Sequence, residues 1–167
     1  MAVANFDFRS SALFPMFMRE GVTNRINFLS YWQFKNKLEK VDMTLSFRDH
    51  EGQLVNFKEI EISGEPKAYD INLNDYICEE VIKTSLGFVF SVEVEVFFDQ
   101  EPYMKYPALV YQISNGSDSS VVHSCLRTYN PSEEAPREID QMRQTGFDVF
   151  FEEGIENYII LIGGGEQ

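Results

Sequence analysis

The sequence predicts an all-β protein, a mainly antiparallel two-layer β-sandwich of immunoglobulin-like or jelly-roll type. Three observations lead to this prediction. Aromatic side chains, which suit a pleated surface, are abundant, with fifteen Phe, eight Tyr and one Trp. Apolar and polar residues alternate in several segments, and turn residues recur roughly every 8 to 15 residues. At most two short helices are expected, without the strand–helix alternation of a parallel sheet.

A chain of 167 residues is expected to form one domain over residues 1–167. Residues 1–20 mix Phe, Met and charged side chains without a clear period, and Pro15 would interrupt a helix. We therefore predict an N-terminal arm or an edge strand there. The next apolar run, Ile26 to Trp32, is predicted to be a strand. Residues 163–167 begin with three Gly and are predicted to form a flexible tail.

A hairpin is predicted over residues 42–62. Its first strand alternates apolar residues with polar ones, the apolar set being Met43, Leu45 and Phe47. Residues 49–52 supply the turn, with Gly52 available for a positive φ. The return strand changes phase between Phe57 and Ile60, which predicts a β-bulge or an edge position.

The middle of the chain is predicted to contain two more strands. Tyr69 to Leu73 alternates, and Asn74 is expected to cap a short helix after it. Gly87 to Phe98 is the clearest strand, because one face is wholly apolar and the other carries Glu93 and Glu95. One dry and one wet face are typical of antiparallel sheets. We interpret the two glutamates as serving solubility and edge protection, not acid–base catalysis.

Pro107 to Asn130 is predicted to form two strands joined by a turn-rich loop. On the second strand, His123, Cys125 and Arg127 occupy every second position. A single pleated strand would place all three side chains on one face. Residues 131–145 are predicted as a loop or short helix, with two final strands within residues 147–162.

The composition excludes several classes of partner. The net charge is −13, with 27 acidic residues against 14 basic ones. Such a surface repels phosphate backbones and anionic headgroups, so we expect neither nucleic acid nor a membrane as a partner. No run of about 18 apolar residues is present, and the first residues lack the basic and apolar regions of a signal peptide. A cytoplasmic protein is expected.

No cofactor and no metal site is predicted. Cys78 and Cys125 lack metal-ligand spacing, and we expect buried free thiols, while a disulfide between them stays open. His50 lies in an acidic turn without a second ligand at a suitable spacing. The sequence contains no P-loop and no GxGxxG, GxSxG, HExxH or EF-hand pattern.

The candidate ligand-binding residues are polar and aromatic side chains of the predicted hairpin over residues 107–130 and of the loop before it: His123, Arg127, Tyr129, Asn130, Tyr103 and Tyr106. Imidazole and guanidinium groups can bind acidic or hydroxyl-rich ligands, and loop aromatics can stack on sugars or anchor a protein. The alternative is a solvated sheet face without a ligand. Cys125 is not expected to be a nucleophile, because its Cβ would lie about 6–7 Å from that of His123.

These features favour a non-catalytic β-sandwich binding module for a carbohydrate or a protein. Two alternatives stay open. The first is a structural or assembly subunit, in which the Phe-rich arm of residues 1–20 is buried by a second copy in a homo-oligomer. The second is a small jelly-roll enzyme that uses His123 with a carboxylate. Because no catalytic motif is present, a role other than catalysis is expected.

Overall fold

The computed structural model describes residues 8–62, 67–84, 89–100, 108–125, 127–129 and 152–154. The contacts of the chain group into two compact units, residues 1–134 and 135–167, and every described strand and helix lies in the first unit. The first unit is a two-layer antiparallel β-sandwich, which confirms the predicted fold class. A single domain over residues 1–167 stays a prediction.

Nine strands and three short helices are described. The strands are β1 Phe8–Phe17, β2 Thr23–Leu29, β3 Val41–Arg48, β4 Leu54–Glu61, β5 Ala68–Asn72, β6 Val89–Phe98, β7 Ala108–Ser114, β8 Ser119–Cys125 and β9 Arg127–Tyr129. The helices are α1 Tyr31–Phe34, the 3₁₀ helix Leu73–Tyr76 and α2 Glu79–Thr84. One sheet has the order β4-β3-β6-β1-β9 and the other β5-β2-β7-β8. None of the described helices is long and apolar enough to cross a membrane.

Strand β6 is the middle strand of the five-stranded sheet and pairs with β3 and β1. The prediction of one apolar face is confirmed, because alternate residues are buried in the core, namely Phe90, Val92, Val94, Val96 and Phe98. Glu93 and Glu95 lie on the opposite, outer face. Since β6 has a neighbour on each side, the predicted edge-protection role of these two glutamates is wrong.

Residues 8–17 form a strand, β1, and the predicted N-terminal arm is wrong for them. Strand β1 pairs with β6 along its whole length but with the described β9 only at residues 9–11, so the predicted edge strand holds for residues 12–17 within the described part of the chain. Its pattern is hard to recognise because Ser10 is fully buried while Leu13 is 41% exposed on the outer face. Phe14 lies in the core. Its ring therefore serves the core of its own chain and is not available to a second copy.

Pro15 is tolerated in β1 because of the direction of its nitrogen. Phe17 directs its N–H and C=O to the Asn24 side chain, hence away from β6. Backbone direction repeats every second residue, so the Pro15 nitrogen also points away from β6. The described part of β9 pairs with residues 9–11 and ends before Pro15. No ladder hydrogen bond is lost.

The predicted strand from Ile26 to Trp32 ends earlier than expected. Strand β2 stops at Leu29, and α1 follows. Trp32 and Gln33 are adjacent and both buried, and Gln33 Nε2 donates to the Ile62 carbonyl at 2.6 Å. A strand would direct one of the two side chains outward, whereas a helical turn allows both to face the core.

The two predicted hairpins are confirmed. In the first turn, Asp49 Oδ1 accepts hydrogen bonds from the N–H groups of Glu51 and Gln53, both at 2.9 Å, and Gly52 has φ 81°. Strand β4 is an edge strand with a register shift opposite residues 47 and 48. The edge position therefore explains the phase change, whereas the bulge lies before residue 57 and the pairing between Phe57 and Ile60 is regular. The second hairpin joins β7 and β8. The strands predicted within residues 147–162, and residues 131–145, lie outside the described residues.

A buried amide joins the two sheets at the β1–β2 crossing. Asn24 of β2 is fully buried. Its Nδ2 donates to the Phe17 carbonyl at 2.9 Å, and its Oδ1 accepts from the Phe17 N–H at 3.2 Å. Oδ1 also accepts from the Tyr111 hydroxyl at 2.7 Å. The side chain thus takes the place of a neighbouring strand for the last residue of β1.

Asn74 completes this network from the 3₁₀ helix. Its Oδ1 accepts from the Asn24 N–H at 2.8 Å and from Asn24 Nδ2 at 3.1 Å, while its Nδ2 donates to the Val22 carbonyl at 2.8 Å. The predicted capping role of Asn74 is therefore wrong, and the Asn72 side chain accepts from the Asn74 N–H instead. The helix expected there is divided into the 3₁₀ helix and α2. Burial raises the pKa of Tyr111, so its hydroxyl stays protonated and donates.

We expect Asn24→Ala to lower the free energy of unfolding by about 3 kcal/mol or more, because several buried polar groups lose their partner together. Asn27→Ala is the matched control, since Asn27 lies on the same strand but faces outward, and a change within about 0.5 kcal/mol is expected. Urea denaturation of both variants measures the difference. Equal stability of the two variants would contradict the role given to Asn24.

Candidate functional site

The predicted constellation of His123, Cys125 and Arg127 is divided between the two sheets. His123 and Cys125 belong to β8 of the four-stranded sheet, whereas Arg127 and Tyr129 belong to β9 of the five-stranded sheet. The interpretation of a single strand with all three side chains on one face is therefore wrong. The alternation of residue types continues from β8 into β9. Alternation alone therefore could not reveal that β8 ends at Cys125 and that β9 begins at Arg127 in the other sheet.

Of the candidate residues, His123 is the one whose described side chain can be placed, and it is exposed. Tyr103, Tyr106 and Asn130 lie outside the described residues. Cys78 is a free thiol and is exposed, so the expectation of a buried thiol is wrong there. The prediction that these residues bind a ligand stays a prediction.

We name the outer surface of the four-stranded sheet the four-strand face. Core residues such as Ile26 and Tyr111 point inward, so alternation directs the intervening side chains outward. These are Thr23, Arg25, Asn27 and Leu29 of β2, Ala68, Asp70 and Asn72 of β5, Val110, Gln112 and Ser114 of β7, and Ser119, Val121 and His123 of β8. Amides and hydroxyls are the commonest polar groups of this face.

The strand register arranges the centre of this face in rows. One row runs Asp70, Asn27, Val110, His123, and the next runs Asn72, Arg25, Gln112, Val121. Each row crosses all four strands. The face is therefore continuous from the β5 edge to the β8 edge, with His123 at one end.

Arg25 and Asp70 are the two charged members of the face at neutral pH, and they bind each other. Arg25 Nε lies 2.8 Å from Asp70 Oδ1, and the second contact joins NH2 and Oδ2 at 2.6 Å. This forked pair lowers the pKa of Asp70, chiefly through the hydrogen bond from Arg25, and the same bond raises the pKa of Arg25. The pair leaves the described face without net charge.

Asn27 and Gln112 lie beside this ion pair. Both side chains are half-buried, and neither forms a hydrogen bond with another side chain or backbone group in the described part of the chain. Each amide offers two N–H donors and a carbonyl acceptor. Together they give the centre of the face donors and acceptors that the fold itself does not use.

The outer surface of the five-stranded sheet, the five-strand face, has the opposite character. Among the residues whose side chains are described, its charged members are Asp42, Glu59, Glu61, Glu93, Glu95, Arg9 and Arg48, five carboxylates against two guanidinium groups. Arg9 NH2 lies 3.1 Å from Glu93 Oε1, and Arg9 Nε lies 2.6 Å from Glu95 Oε1. Because both glutamates bind one arginine, they do not form an acid–base pair poised for catalysis.

The two faces therefore differ in charge within one acidic protein. Solubility alone would be served by carboxylates on both sheets, as on the five-strand face. On the described four-strand face, amide, hydroxyl and apolar groups replace them. This is the arrangement expected of a surface that contacts another molecule, because charged groups are costly to desolvate.

Among the described residues, His123 has no neighbour that would make it a catalytic base. Its cross-strand partner is Val110, and the acidic residue in the same row, Asp70, lies three strand spacings away, roughly 14 Å. Asp70 is also bound to Arg25. Within the described residues, no three His, Cys, Asp or Glu side chains are grouped to hold a metal ion.

The sequence analysis missed Arg25, Asn27 and Gln112. The polar alternation of β2 is present in the sequence, but Asn24 occupies an inward position and breaks the pattern where the strand begins. Gln112 follows the inward Tyr111, so alternation in β7 places it on the outer surface, but only strand pairing brings it beside Arg25. No protein-family model, curated protein or solved structure matches the chain.

The Arg25–Asp70 pair makes a testable prediction about titration. In the native protein we expect Asp70 to titrate below the ordinary value of about 3.9, and Arg25→Ala to move it back toward that value. The stabilisation from the pair is present above pH of about 3.9 and is lost as the pH falls through the lowered pKa of Asp70. Because both groups are partly exposed, it is at most about 1 kcal/mol. The titration midpoint of Asp70 is measured from its carboxyl carbon chemical shift as a function of pH. Equal midpoints in the unchanged protein and in Arg25→Ala would contradict the pairing.

Proposed function

We propose that this protein is a non-catalytic binding module whose four-strand face binds a neutral, hydroxyl-rich ligand, with carbohydrates as the ligand class. The observation that carries the proposal is the pair of unused amides, Asn27 and Gln112, at the centre of a described face without net charge. Sugar hydroxyls are both donors and acceptors, and so are side-chain amides. Each matches the other without the cost of desolvating a charge.

The surrounding groups support the same ligand class. Thr23 and Ser114, whose hydroxyl oxygens lie 3.3 Å apart, extend the hydrogen-bonding surface along the next row. Arg25 retains N–H donors beyond those that bind Asp70, because a guanidinium group has five. His123 supplies a further polar group at the β8 end. A ligand lying along the rows would meet polar groups on every strand.

The described four-strand face carries no Phe, Tyr or Trp ring. Hydrogen bonds are therefore expected to dominate over stacking on this surface. Tyr103 and Tyr106, proposed from the sequence as stacking residues, lie outside the described residues. The ligand-binding roles predicted for Arg127, Tyr129 and Asn130 also remain proposals. The proposal does not depend on them.

A protein partner is the second candidate. Leu29 and Val121 favour it, because on this face they are 50% and 57% exposed. Exposed apolar groups within a polar surface are typical of protein interfaces. Leu29→Glu separates the candidates: it would abolish the binding of a protein that covers the face, whereas a sugar bound at Asn27 and Gln112 would be little affected.

A glycan array probed with the labelled full chain tests the first candidate. We expect binding to neutral glycans, and we expect Asn27→Ala and Gln112→Ala each to weaken the strongest interaction by about tenfold in calorimetry, since each removes one or two hydrogen bonds. Both residues are free of internal hydrogen bonds, so both variants should fold.

Gln53→Ala is the matched control, because Gln53 is an exposed glutamine in the β3–β4 hairpin, away from the four-strand face. It should bind as the unchanged protein does. Absence of any bound glycan would count against the carbohydrate proposal. Binding that is equally strong in Asn27→Ala, Gln112→Ala and Gln53→Ala would show that the ligand lies elsewhere.

A further inference from the structure

Among the described residues, strand β8 is an edge of the four-stranded sheet with a free edge and two exposed faces. It pairs with β7, and no described strand adjoins its other edge. Residues 119–123 are all exposed. Val121 and Val122 are adjacent and therefore point to opposite faces, yet they are 57% and 54% exposed. Within the described part of the chain, neither face of β8 is covered.

This edge also lacks the protection that proteins normally give to edge strands. Inward-pointing or edge charges, Lys and Pro are the usual devices against pairing with another strand. Strand β4 carries Lys58, Glu59 and Glu61, and β5 carries Asp70. The sequence of β8, SSVVHSC, contains no Asp, Glu, Lys, Arg or Pro. Among the described edges, β8 is thus the strand best suited to accept a neighbour.

We propose that β8 pairs antiparallel with β8 of a second copy of this chain, which joins two four-stranded sheets into one sheet of eight strands. Antiparallel pairing with β7 uses the backbone groups of alternate residues and leaves those of the other residues directed outward. A two-fold axis perpendicular to the sheet brings these free groups of two copies together.

The absence of charged residues on β8 favours a second copy of this chain as the source of the strand that pairs with this edge. A partner of opposite charge would be recruited best by charged residues, and the chain has plenty of carboxylates elsewhere. A second copy carries the same net charge of −13, so two copies repel wherever carboxylates face each other. An uncharged edge is the surface on which such copies can approach.

The residues of β8 are compatible with self-pairing. When the two-fold axis passes through Val122, this residue faces Val122 of the second copy, and His123 faces Val121. Cross-strand pairs of β-branched residues stabilise sheets, and no like charges are opposed in this register. The joined sheet also makes the two four-strand faces continuous, although the pairing itself requires no ligand.

Sedimentation of the full chain over concentrations from roughly 1 µM to 1 mM tests the proposal, since this range covers weak self-association. We expect a concentration-dependent increase from 19.4 kDa to twice that mass. Val122→Glu should weaken dimerisation by about tenfold or more, because it places like charges opposite each other. Leu54→Glu is the matched control, being equally exposed at 54% on edge strand β4, and should still dimerise.

Hydrogen exchange of the unchanged protein gives a second readout that needs no variant to fold. Amides of residues 119–125 should exchange more slowly at high concentration than at low concentration, while those of β4 should not change. A protein that stays monomeric throughout the range would overturn the proposal and leave the edge to another kind of strand. A dimer that Val122→Glu does not weaken, or that leaves β8 exchange unchanged, would overturn it as well.

Discussion

The buried side chain of Asn24 is the interaction on which the arrangement of the two sheets depends. It forms hydrogen bonds with the last residue of β1 in one sheet, with Tyr111 in the other and with Asn74 beyond the end of β5. A buried amide is stable only where its partners are present, so this position accepts one register. That register directs Arg25 and Asn27 outward. A slip of one residue would bury them and expose the core face of β2. The same interaction therefore holds the fold and creates the four-strand face.

The sequence predicted those elements whose patterns are local. Strands β3 and β6 and both hairpins follow from strict alternation and from turn residues such as Gly52. Strand β1 was predicted only as an arm or an edge strand, and the end of β2 was placed too late, because Ser10 and Gln33 are polar residues that the fold buries. The break between β8 and β9 is similar, since alternation continues across it while the sheet changes. Of the candidate site, His123 was identified; Asn27 and Gln112 were not, because their importance comes from strands that are adjacent only after folding.

Net charge, treated as one number, indicates solubility and hides where the carboxylates lie. The described five-strand face carries most of the sheet carboxylates, partly neutralised by Arg9, whereas the four-strand face carries one ion pair and the adjoining edge β8 carries no Asp, Glu, Lys or Arg. Both proposals follow from this asymmetry. We propose that a neutral ligand binds where the described face carries no net charge, and that a second copy approaches where no like charge opposes it. The two proposals use neighbouring surfaces and can fail independently.

The central claim is that the four-strand face is the contact surface of the protein. Backbone amide chemical shifts recorded during titration with the strongest ligand from the glycan array test it most directly. The account predicts that the largest shift changes occur on β2 and β7, around Arg25, Asn27 and Gln112, with little change on β3, β4 and β6. Changes confined to the five-strand face, or none on β2 and β7 at saturating ligand, would contradict it.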